Sequence, residues 1–220
     1  MIAQVNGIDL YYEKTGEGRP LILVHGNGED HTIFNEAAAV LGRDFTVYAV
    51  DSRCHGQSTD TPTLHYRDMA ADMLSFMEAL DLRDVVFYGF SDGGIIGLMA
   101  AAQTDRITTL ITSGANLNPT GVKLWLQLLV RGIYALNKDK KYSLMFNEPQ
   151  IADETLRAIR ARTLVLAGSK DLVREEETRH IAAMIPGAEL RILPGEGHGS
   201  YIVHKEKIAQ LISDFCRGEG

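Results

Sequence analysis

The sequence predicts an α/β protein built on a mostly parallel β-sheet with helices on both faces. Two observations carry this prediction. Short apolar runs of strand length alternate along the chain with longer stretches in which apolar residues recur at helical spacing. Several short runs, such as residues 21–24 (LILV), are apolar throughout, which is typical of strands covered on both faces. An alternation of this length favours parallel strands joined by crossover helices.

The individual elements follow from these patterns. Asn6-Gly7, a pair favoured in two-residue turns, separates two short runs and predicts an N-terminal β-hairpin. The further predicted strands are residues 21–24, 45–50, 84–88, 107–112, 163–167 and 189–193. The predicted helices are residues 34–41, 66–80, 94–103, 175–184 and 201–215.

One segment interrupts this alternation. Between residues 114 and 159 the next strand is delayed by more than a βα unit requires, and the intervening chain has apolar residues at helical spacing. These residues are Val122, Trp125, Leu129, Ile133 and Leu136. We interpret the chain as one domain over residues 1–220, with a small helical insertion at about residues 115–158.

Composition and charge argue against several classes of protein. The formal net charge is −7 and Lys and Arg form no stripe, so nucleic acid is a poor partner. No stretch approaches the roughly 20 apolar residues that span a bilayer, and the N-terminus lacks a secretory pattern. We therefore expect a cytoplasmic protein without a membrane partner. Cys54 and Cys216 are too few and too far apart for a disulfide framework, which predicts free thiols. The oligomeric state stays open.

Residues 89–93 (GFSDG) match the pattern G-x-S-x-G between a predicted strand and a predicted helix. In that context the serine occupies a strained turn that exposes its hydroxyl at the carboxyl end of the sheet, and the glycines leave room for the backbone. The N-terminus of the following helix presents unpaired N–H groups to a developing oxyanion. Ser91 is therefore the predicted nucleophile, and a structural glycine-rich turn is the alternative.

A nucleophilic serine needs a base, and the base needs an acid that orients it. Asp171 follows the predicted strand 163–167, and His198 lies in a glycine-rich loop after the last predicted strand. Both residues thus stand at strand ends, on the side of the sheet where Ser91 emerges, and in a chain order that known triads use. We predict that Ser91, Asp171 and His198 form a catalytic triad. The rival acids at residues 175–177 have the position of solvated residues in the first turn of a helix.

The other histidines and Cys54 have structural interpretations. We expect His25 and His55 to form hydrogen bonds with the backbone of their own loops. The other histidines outside the triad lie on or beside predicted helices, without acidic or cysteine partners at ligand spacing. We therefore predict neither a metal site nor a cofactor. Cys54 is a rival nucleophile by its chemistry, but it lacks a strand-to-helix turn.

Together these motifs resemble the α/β-hydrolase fold superfamily over nearly the whole chain. Residues 25–28 (HGNG) are similar to the family's oxyanion loop, and residues 51–58 (DSRCHGQS) to its D-x-R-G-x-G-x-S stretch, with Cys54 in place of a glycine. The resemblance implies an eight-stranded sheet in which only the second strand is antiparallel, with the insertion as a cap. It also implies that the backbone N–H groups of Asn27 and Asp92 hold the oxyanion.

A cap of this kind would lie over the carboxyl ends of the strands, where a substrate binds. We therefore expect some of Trp125, Tyr134, Met145 and Phe146 to line a small, largely apolar pocket. The alternative is that the apolar residues of the insertion pack it against the rest of the domain. The Asp92 side chain has two interpretations, a cap of the following helix or a partner for a cationic group of the substrate.

The predicted function is hydrolysis of a small carboxylic ester or related acyl substrate through an acyl-enzyme on Ser91. The partner is thus a small molecule. Aminopeptidase, thioesterase, lactonase, C–C bond hydrolase and cofactor-free perhydrolase activities remain open, because substrate choice depends on the pocket walls. A lyase or acyltransferase would use the same scaffold. A ligand-sensing protein with slow turnover is the alternative from another class.

Overall fold

The computed structural model describes residues 1–218 of the chain. Its strands are β1 (Ile2–Val5), β2 (Ile8–Thr15), β3 (Arg19–Val24), β4 (Phe45–Val50), β5 (Val85–Phe90), β6 (Ile107–Ser113), β7 (Arg162–Gly168) and β8 (Glu189–Leu193). They form one sheet in the order β1-β2-β4-β3-β5-β6-β7-β8. β2 pairs antiparallel with β1 and β4, and the other neighbours pair parallel. The predicted α/β-hydrolase sheet, with one antiparallel strand, is confirmed.

The described helices flank this sheet. They are α1 (Asn35–Leu41), α2 (Tyr66–Ala79), α3 (Asp92–Ala101), α4 (Leu124–Asn137), α5 (Lys140–Asn147), α6 (Asp153–Arg157), α7 (Glu175–Met184) and α8 (Lys207–Arg217). The helices α4, α5 and α6 lie in the chain between β6 and β7, in the segment where the sequence predicts an insertion. No helix within residues 1–218 has the length and apolar character needed to cross a membrane.

The core consists of two apolar layers, one on each face of the sheet. Strand β5 illustrates the division, because successive side chains of a strand point to opposite faces. Phe87 packs in the layer that includes residues of α2, α3 and α7. Tyr88 packs in the opposite layer, with residues of α1 and α8. Burial on both faces explains why the central strands are apolar throughout.

The ends of the chain test two local predictions. The turn between β1 and β2 has positive φ at Asn6 (50°) and Gly7 (77°), which confirms the two-residue hairpin. The last helix begins at Lys207, so the predicted start at residue 201 is wrong. His204 has a positive φ of 52°, and its N–H donates to the carbonyl oxygen of Ile33 at 2.9 Å. That left-handed residue prevents a continuous helix from residue 201.

Candidate active site

Ser91 stands at the sharp turn between β5 and α3. Its φ of 53° and ψ of −113° are values that L-residues rarely adopt, and its N–H donates to the carbonyl oxygen of Ser113 at 2.7 Å. Glycine is required on both sides of the serine. A Cβ at Gly89 would collide with the backbone of Gly93, and a Cβ at Gly93 would collide with the carbonyl group of Val24. The sequence around Ser91 therefore permits a turn that a bulkier sequence would prevent.

The structure brings Ser91, Asp171 and His198 together. His198 Nε2 lies 3.0 Å from Ser91 Oγ, and His198 Nδ1 lies 2.6 Å from Asp171 Oδ1. The N–H groups of Gly168 and Val173 also donate to the Asp171 carboxylate. Burial raises the pKa of Asp171, but the hydrogen bonds from His198 and from these two N–H groups outweigh burial and lower the pKa overall. An ionised Asp171 keeps a proton on Nδ1 and leaves Nε2 free to accept the Ser91 proton.

Two residues that the sequence analysis misses support the His198 ring. The Phe90 ring packs against the imidazole, with the ring centroids 4.9 Å apart and the ring planes tilted by 47°. Gly114 directly follows β6 and has a φ of 66°, and a Cβ at this position would stand 2.6 Å from His198 Cε1. A glycine just beyond the end of a predicted strand, here residues 107–112, is a signal for a close approach at Gly114. Phe90 gives no such signal, because an aromatic residue is ordinary in a strand.

The loop after β3 lies against the start of α3. Gly93 N–H donates to the His25 carbonyl oxygen at 3.1 Å. The Asn27 side-chain amide donates to Asp92 Oδ2 at 2.9 Å and to the Lys141 carbonyl oxygen at 3.1 Å. Among the hydrogen bonds of residues 1–218, neither Asn27 N–H nor Asp92 N–H has a protein acceptor. Two backbone donors thus remain free at the positions that the family resemblance implies.

His25 fixes the base of this loop. Its Nδ1 lies 2.7 Å from the Gly26 carbonyl oxygen, and its Nε2 accepts the N–H of Ser52 at 3.1 Å. These partners require a neutral ring with the proton on Nδ1. Burial, together with the nearby His55, lowers the pKa of His25 to about 4. His55 Nδ1 contacts the Arg53 carbonyl oxygen at 2.9 Å, so the structural interpretation of both histidines is confirmed.

The Asp92 carboxylate is buried beside Ser91, with 4% of the residue exposed. Its Oδ1 accepts the Tyr66 hydroxyl at 2.7 Å, and its Oδ2 accepts the Asn27 amide. Burial raises the pKa of Asp92, and these two hydrogen bonds oppose the rise only in part. The predicted helix cap is wrong, because Ser91 occupies the N-cap position and the Asp92 carboxylate bonds to side chains instead. A role for Asp92 toward a cationic substrate stays a prediction.

A cavity of about 510 Å³ contains Ser91 and His198 in its wall. The predicted pocket residues Met145 and Phe146, both on α5, line it. The other apolar lining residues are Phe90, Val122, Leu126, Leu129, Val130, Ile133, Leu172 and Val173. Its size and apolar wall suit a small organic substrate.

The prediction that Trp125 and Tyr134 line this pocket is wrong. Trp125 is 54% exposed, and the Tyr134 ring packs against the Phe146 ring outside the lining. The α4 residues that face the cavity at helical spacing are Leu126, Leu129, Val130 and Ile133. Both faces of α4 are apolar, so the sequence pattern alone does not determine which stripe points inward.

Cys54 occupies the position of the family glycine and adopts the left-handed conformation of a glycine, with φ of 64°. Its Sγ lies 3.2 Å from Thr61 Oγ1 and accepts the Thr61 N–H at 3.3 Å. The turn therefore keeps its shape despite the side chain. Cys54 is absent from the lining of the cavity that contains Ser91.

One cluster within residues 1–218 has the spacing of metal ligands: Asp30, His31 and Asp51. Each carboxylate already has protein donors. Asp51 Oδ1 accepts the N–H and the Nδ1 of His31, and Asp30 Oδ1 accepts the N–H of Thr32. None of the three lines the Ser91 cavity. The cluster is accounted for as a set of hydrogen bonds that hold the loop after β3.

Comparison with known proteins identifies the family. The model of a family described as "alpha/beta hydrolase fold" matches residues 19–133, more than half of the chain. The chain belongs to the alpha/beta hydrolase fold family. Among solved structures, this α/β hydrolase is similar to an enol-lactonase from Burkholderia xenovorans, with a TM-score of 0.81 and 21% identity, covering 99% of this chain and 100% of that one. At that identity the likeness shows the fold alone.

Curated relatives of this α/β hydrolase include several enzymes. It is 26% identical to the serine hydrolase BPHL of Mus musculus, over 97% of this chain and 84% of that protein. It is 29% identical to a pimeloyl-[acyl-carrier protein] methyl ester esterase of Aliivibrio salmonicida, over 96% of this chain and 77% of that protein. These relatives support an enzyme of the α/β-hydrolase type and leave its substrate open.

Proposed function

We propose that the protein is a serine hydrolase that cleaves a small carboxylic ester or related acyl substrate through an acyl-enzyme on Ser91. The observation that carries this proposal is the chain of contacts from Asp171 through His198 to Ser91 Oγ, at 2.6 Å and 3.0 Å, in the wall of an apolar cavity. A base within hydrogen-bond reach of a serine, itself oriented by a buried acid, is the arrangement that activates the serine as a nucleophile.

The proposed reaction has two halves. In the first, His198 Nε2 takes the proton from Ser91 Oγ as the oxygen attacks the acyl carbon, and the imidazolium then protonates the leaving group. The N–H groups of Asn27 and Asp92 stabilise the oxyanion of the tetrahedral intermediate. In the second half, His198 takes a proton from water as the water oxygen attacks the acyl carbon of the acyl-enzyme. The imidazolium then returns that proton to Ser91 Oγ as the bond to the acyl group breaks and the acid leaves. Asp171 stabilises the imidazolium in both halves.

We further propose that residues 115–158 act as a cap within one domain and select the substrate. The support is that α4 and α5 supply most of the apolar cavity wall. A short cap over a cavity of this size favours a small acyl group. Cytoplasmic location remains part of the proposal and rests on two free cysteines, Cys54 and Cys216.

The charged residues in the cavity wall favour a second candidate class of substrate. Charged residues in the cavity wall are Glu29, Asp92, Asp139, Glu148 and Lys141, four carboxyl groups against one ammonium group. An acidic wall disfavours anionic acyl groups and favours substrates that carry an amine, as in aminoacyl esters or the amides that an aminopeptidase cleaves. Thioesters, lactones and C–C bonds remain alternatives on the same triad.

The test is hydrolysis of a substrate panel by the wild type and by Ser91→Ala. The panel contains p-nitrophenyl esters, a thioester, a lactone, an aminoacyl ester and an aminoacyl amide. We expect at least one to be hydrolysed and Ser91→Ala to lower kcat for it by about a thousandfold or more. Ser75→Ala, on α2 and away from the cavity, is the matched control. Full activity in Ser91→Ala would contradict the proposal.

A further inference from the structure

The helix α4 carries a second apolar stripe on its solvent side. This outward face consists of Leu124, Trp125, Leu128, Leu129 and Leu136. Each of the five is at least half exposed, and Leu136 reaches 89%. We propose that the outward face of α4 docks on the surface of an anionic lipid bilayer, with the helix lying in the plane of the interface.

The helix is apolar on both sides, although it lies at the surface of the protein. Its inner side, with Leu126, Val130 and Ile133, lines the cavity. At 3.6 residues per turn, Leu124 and Leu128 fall on the opposite side of the helix from Leu126. A helix that is apolar all round is normally covered all round. Large apolar side chains clustered in one exposed patch mark an interaction surface.

The charge around this face identifies the occupant. Residues 122–147 contain five basic residues and one acidic residue, a balance of +4, in a chain whose formal net charge is −7. Lys140 is paired with Asp60 and Lys141 lies in the cavity wall, so the cations left to face a lipid surface are Lys123, Arg131 and Lys138. On α4 itself Arg131 is the single charged residue, and Lys138 directly follows the helix. Both are exposed. An anionic surface attracts this end of the molecule and repels the acidic remainder, so the charge distribution orients the protein with α4 toward the lipid.

The same charges disfavour a second copy of this chain as the occupant. Two outward faces in contact would bring Arg131 and Lys138 of each copy close to those of the other, and like charges at an interface oppose association. A bilayer interface accepts Trp and Leu among the acyl chains while Lys and Arg remain at the headgroups. The sequence expectation of no membrane partner rests on the absence of a spanning run, and a helix that lies on the surface needs none.

Docking would place the cavity near the lipid. Leu129 belongs to the outward face and also lines the cavity, so the apolar surface is continuous from the bilayer side to the wall that contains Ser91. An amphiphilic acyl substrate could then pass from lipid to cavity without crossing water. This last step rests on the proposed function, whereas docking itself does not.

Trp125 is the single tryptophan of the chain, so its fluorescence reports on this face alone. The experiment titrates the full-length protein with vesicles of phosphatidylcholine, with or without an equal part of phosphatidylglycerol. We expect the anionic vesicles to shift Trp125 emission to shorter wavelength and to carry the protein down on centrifugation. High salt should reverse both effects, because it screens the headgroup charge. Binding to neutral vesicles should be at least about tenfold weaker.

Variants of α4 separate the contribution of its apolar side chains to vesicle binding from the contribution of its basic side chains. Leu124→Ser with Leu128→Ser keeps the reporter and should abolish the emission shift. Arg131→Gln with Lys138→Gln should weaken vesicle binding roughly 30-fold, since each basic residue near the surface contributes about 1 kcal/mol. Arg160→Gln, whose side chain is 83% exposed and far along the chain from α4, is the control and should bind like the wild type. Circular dichroism checks that all variants fold.

Three outcomes would overturn the proposal. One is unchanged Trp125 emission with anionic vesicles. Another is equal binding to neutral vesicles, unaffected by salt. The third is a dimer in sedimentation without lipid that Leu124→Ser with Leu128→Ser dissociates, which would identify a second copy as the occupant. Because none of these readouts requires turnover, failure of the docking proposal is distinguishable from failure of the proposed hydrolase activity.

Discussion

The side-chain amide of Asn27 donates to a carboxylate oxygen of Asp92 across 2.9 Å, and so joins the loop after β3 to the first residue of α3. These are the two residues whose backbone N–H groups we propose as the oxyanion donors. The same amide reaches the Lys141 carbonyl oxygen on α5 at 3.1 Å. The Asn27 side chain therefore connects three elements of the cavity wall, and its removal should slow the reaction.

Replacing Asn27 by alanine should lower kcat by about 10- to 100-fold, because a displacement of catalytic donors by about 1 Å has effects of that size. The backbone N–H of residue 27 remains in the variant, so only its position changes. The measurement is steady-state hydrolysis of whichever panel ester the wild type cleaves. Asn147→Ala is the control, since that amide bonds only within α5. A kcat within twofold of wild type would contradict the role.

Replacing Tyr66 by phenylalanine should lower the free energy of unfolding by about 1–3 kcal/mol. The Tyr66 hydroxyl bonds to Asp92 at 2.7 Å, and its removal leaves a buried carboxylate oxygen without that donor. Urea denaturation at pH 7 measures the change. Tyr11→Phe removes a hydroxyl that bonds at the surface to Glu13 and should change the free energy of unfolding by less than about 0.5 kcal/mol. Equal effects of the two variants would show that the Asp92 contact is unimportant.

His25 should make stability depend on pH. Its pKa is about 4 in the folded protein, against an ordinary value of 6.5. As the pH falls below 6.5, the unfolded chain binds a proton that the folded protein does not. The stability from a neutral His25 is therefore complete above pH 6.5 and declines down to about pH 4. At about 1.4 kcal/mol per pKa unit, the loss is on the order of 3 kcal/mol.

The His25 prediction is measured by urea denaturation of the wild type and His25→Gln between pH 7 and pH 4. The variant has no titrating group at this position, so the stability difference between the two proteins should shrink as the pH falls. Asn147→Ala, which removes no titratable group, is the control and should leave the pH dependence as in the wild type. A difference that stays constant with pH would exclude a neutral, buried His25.

At position 54 a glycine variant should be more stable than an alanine variant, which is the reverse of the usual order of stability. The φ of Cys54, 64°, favours glycine, so Cys54→Gly should be more stable than Cys54→Ala by about 1 kcal/mol. Both variants lose the Sγ contacts with Thr61, so the comparison isolates the backbone conformation. Urea denaturation gives the difference. Ala39→Gly in α1 should show the ordinary order, with glycine less stable by about 1 kcal/mol. A more stable Cys54→Ala would contradict the argument.

The sequence predicts the sheet and the position of Ser91 well, because both depend on local patterns. Strand β5 is a buried apolar run, and Gly89 and Gly93, two residues to either side of Ser91, have no room for a Cβ. The sequence does not predict which face of α4 lines the cavity. Leu126 and Trp125 are adjacent and both apolar, so either side chain would suit an apolar cavity wall. Only the packing of α4 above the sheet determines that Leu126 points inward.

Contacts between distant segments form the other part that the sequence did not reveal. The approach of Gly114 to the His198 ring and the Tyr66 bond to Asp92 join residues from separate loops and helices. A pattern within one segment contains no information about such a neighbour. A glycine after a strand indicates that something comes close, but it does not identify His198.

The central claim is that Ser91 is the nucleophile. Its most direct test is to label the protein with a fluorophosphonate, which bonds to activated serines, and to locate the adduct by peptide mass spectrometry. We expect one adduct, on the peptide that contains Ser91, and none in Ser91→Ala. His198→Ala should label far more slowly, because the base is missing. An adduct on another residue, or equal labelling of Ser91→Ala, would contradict the account.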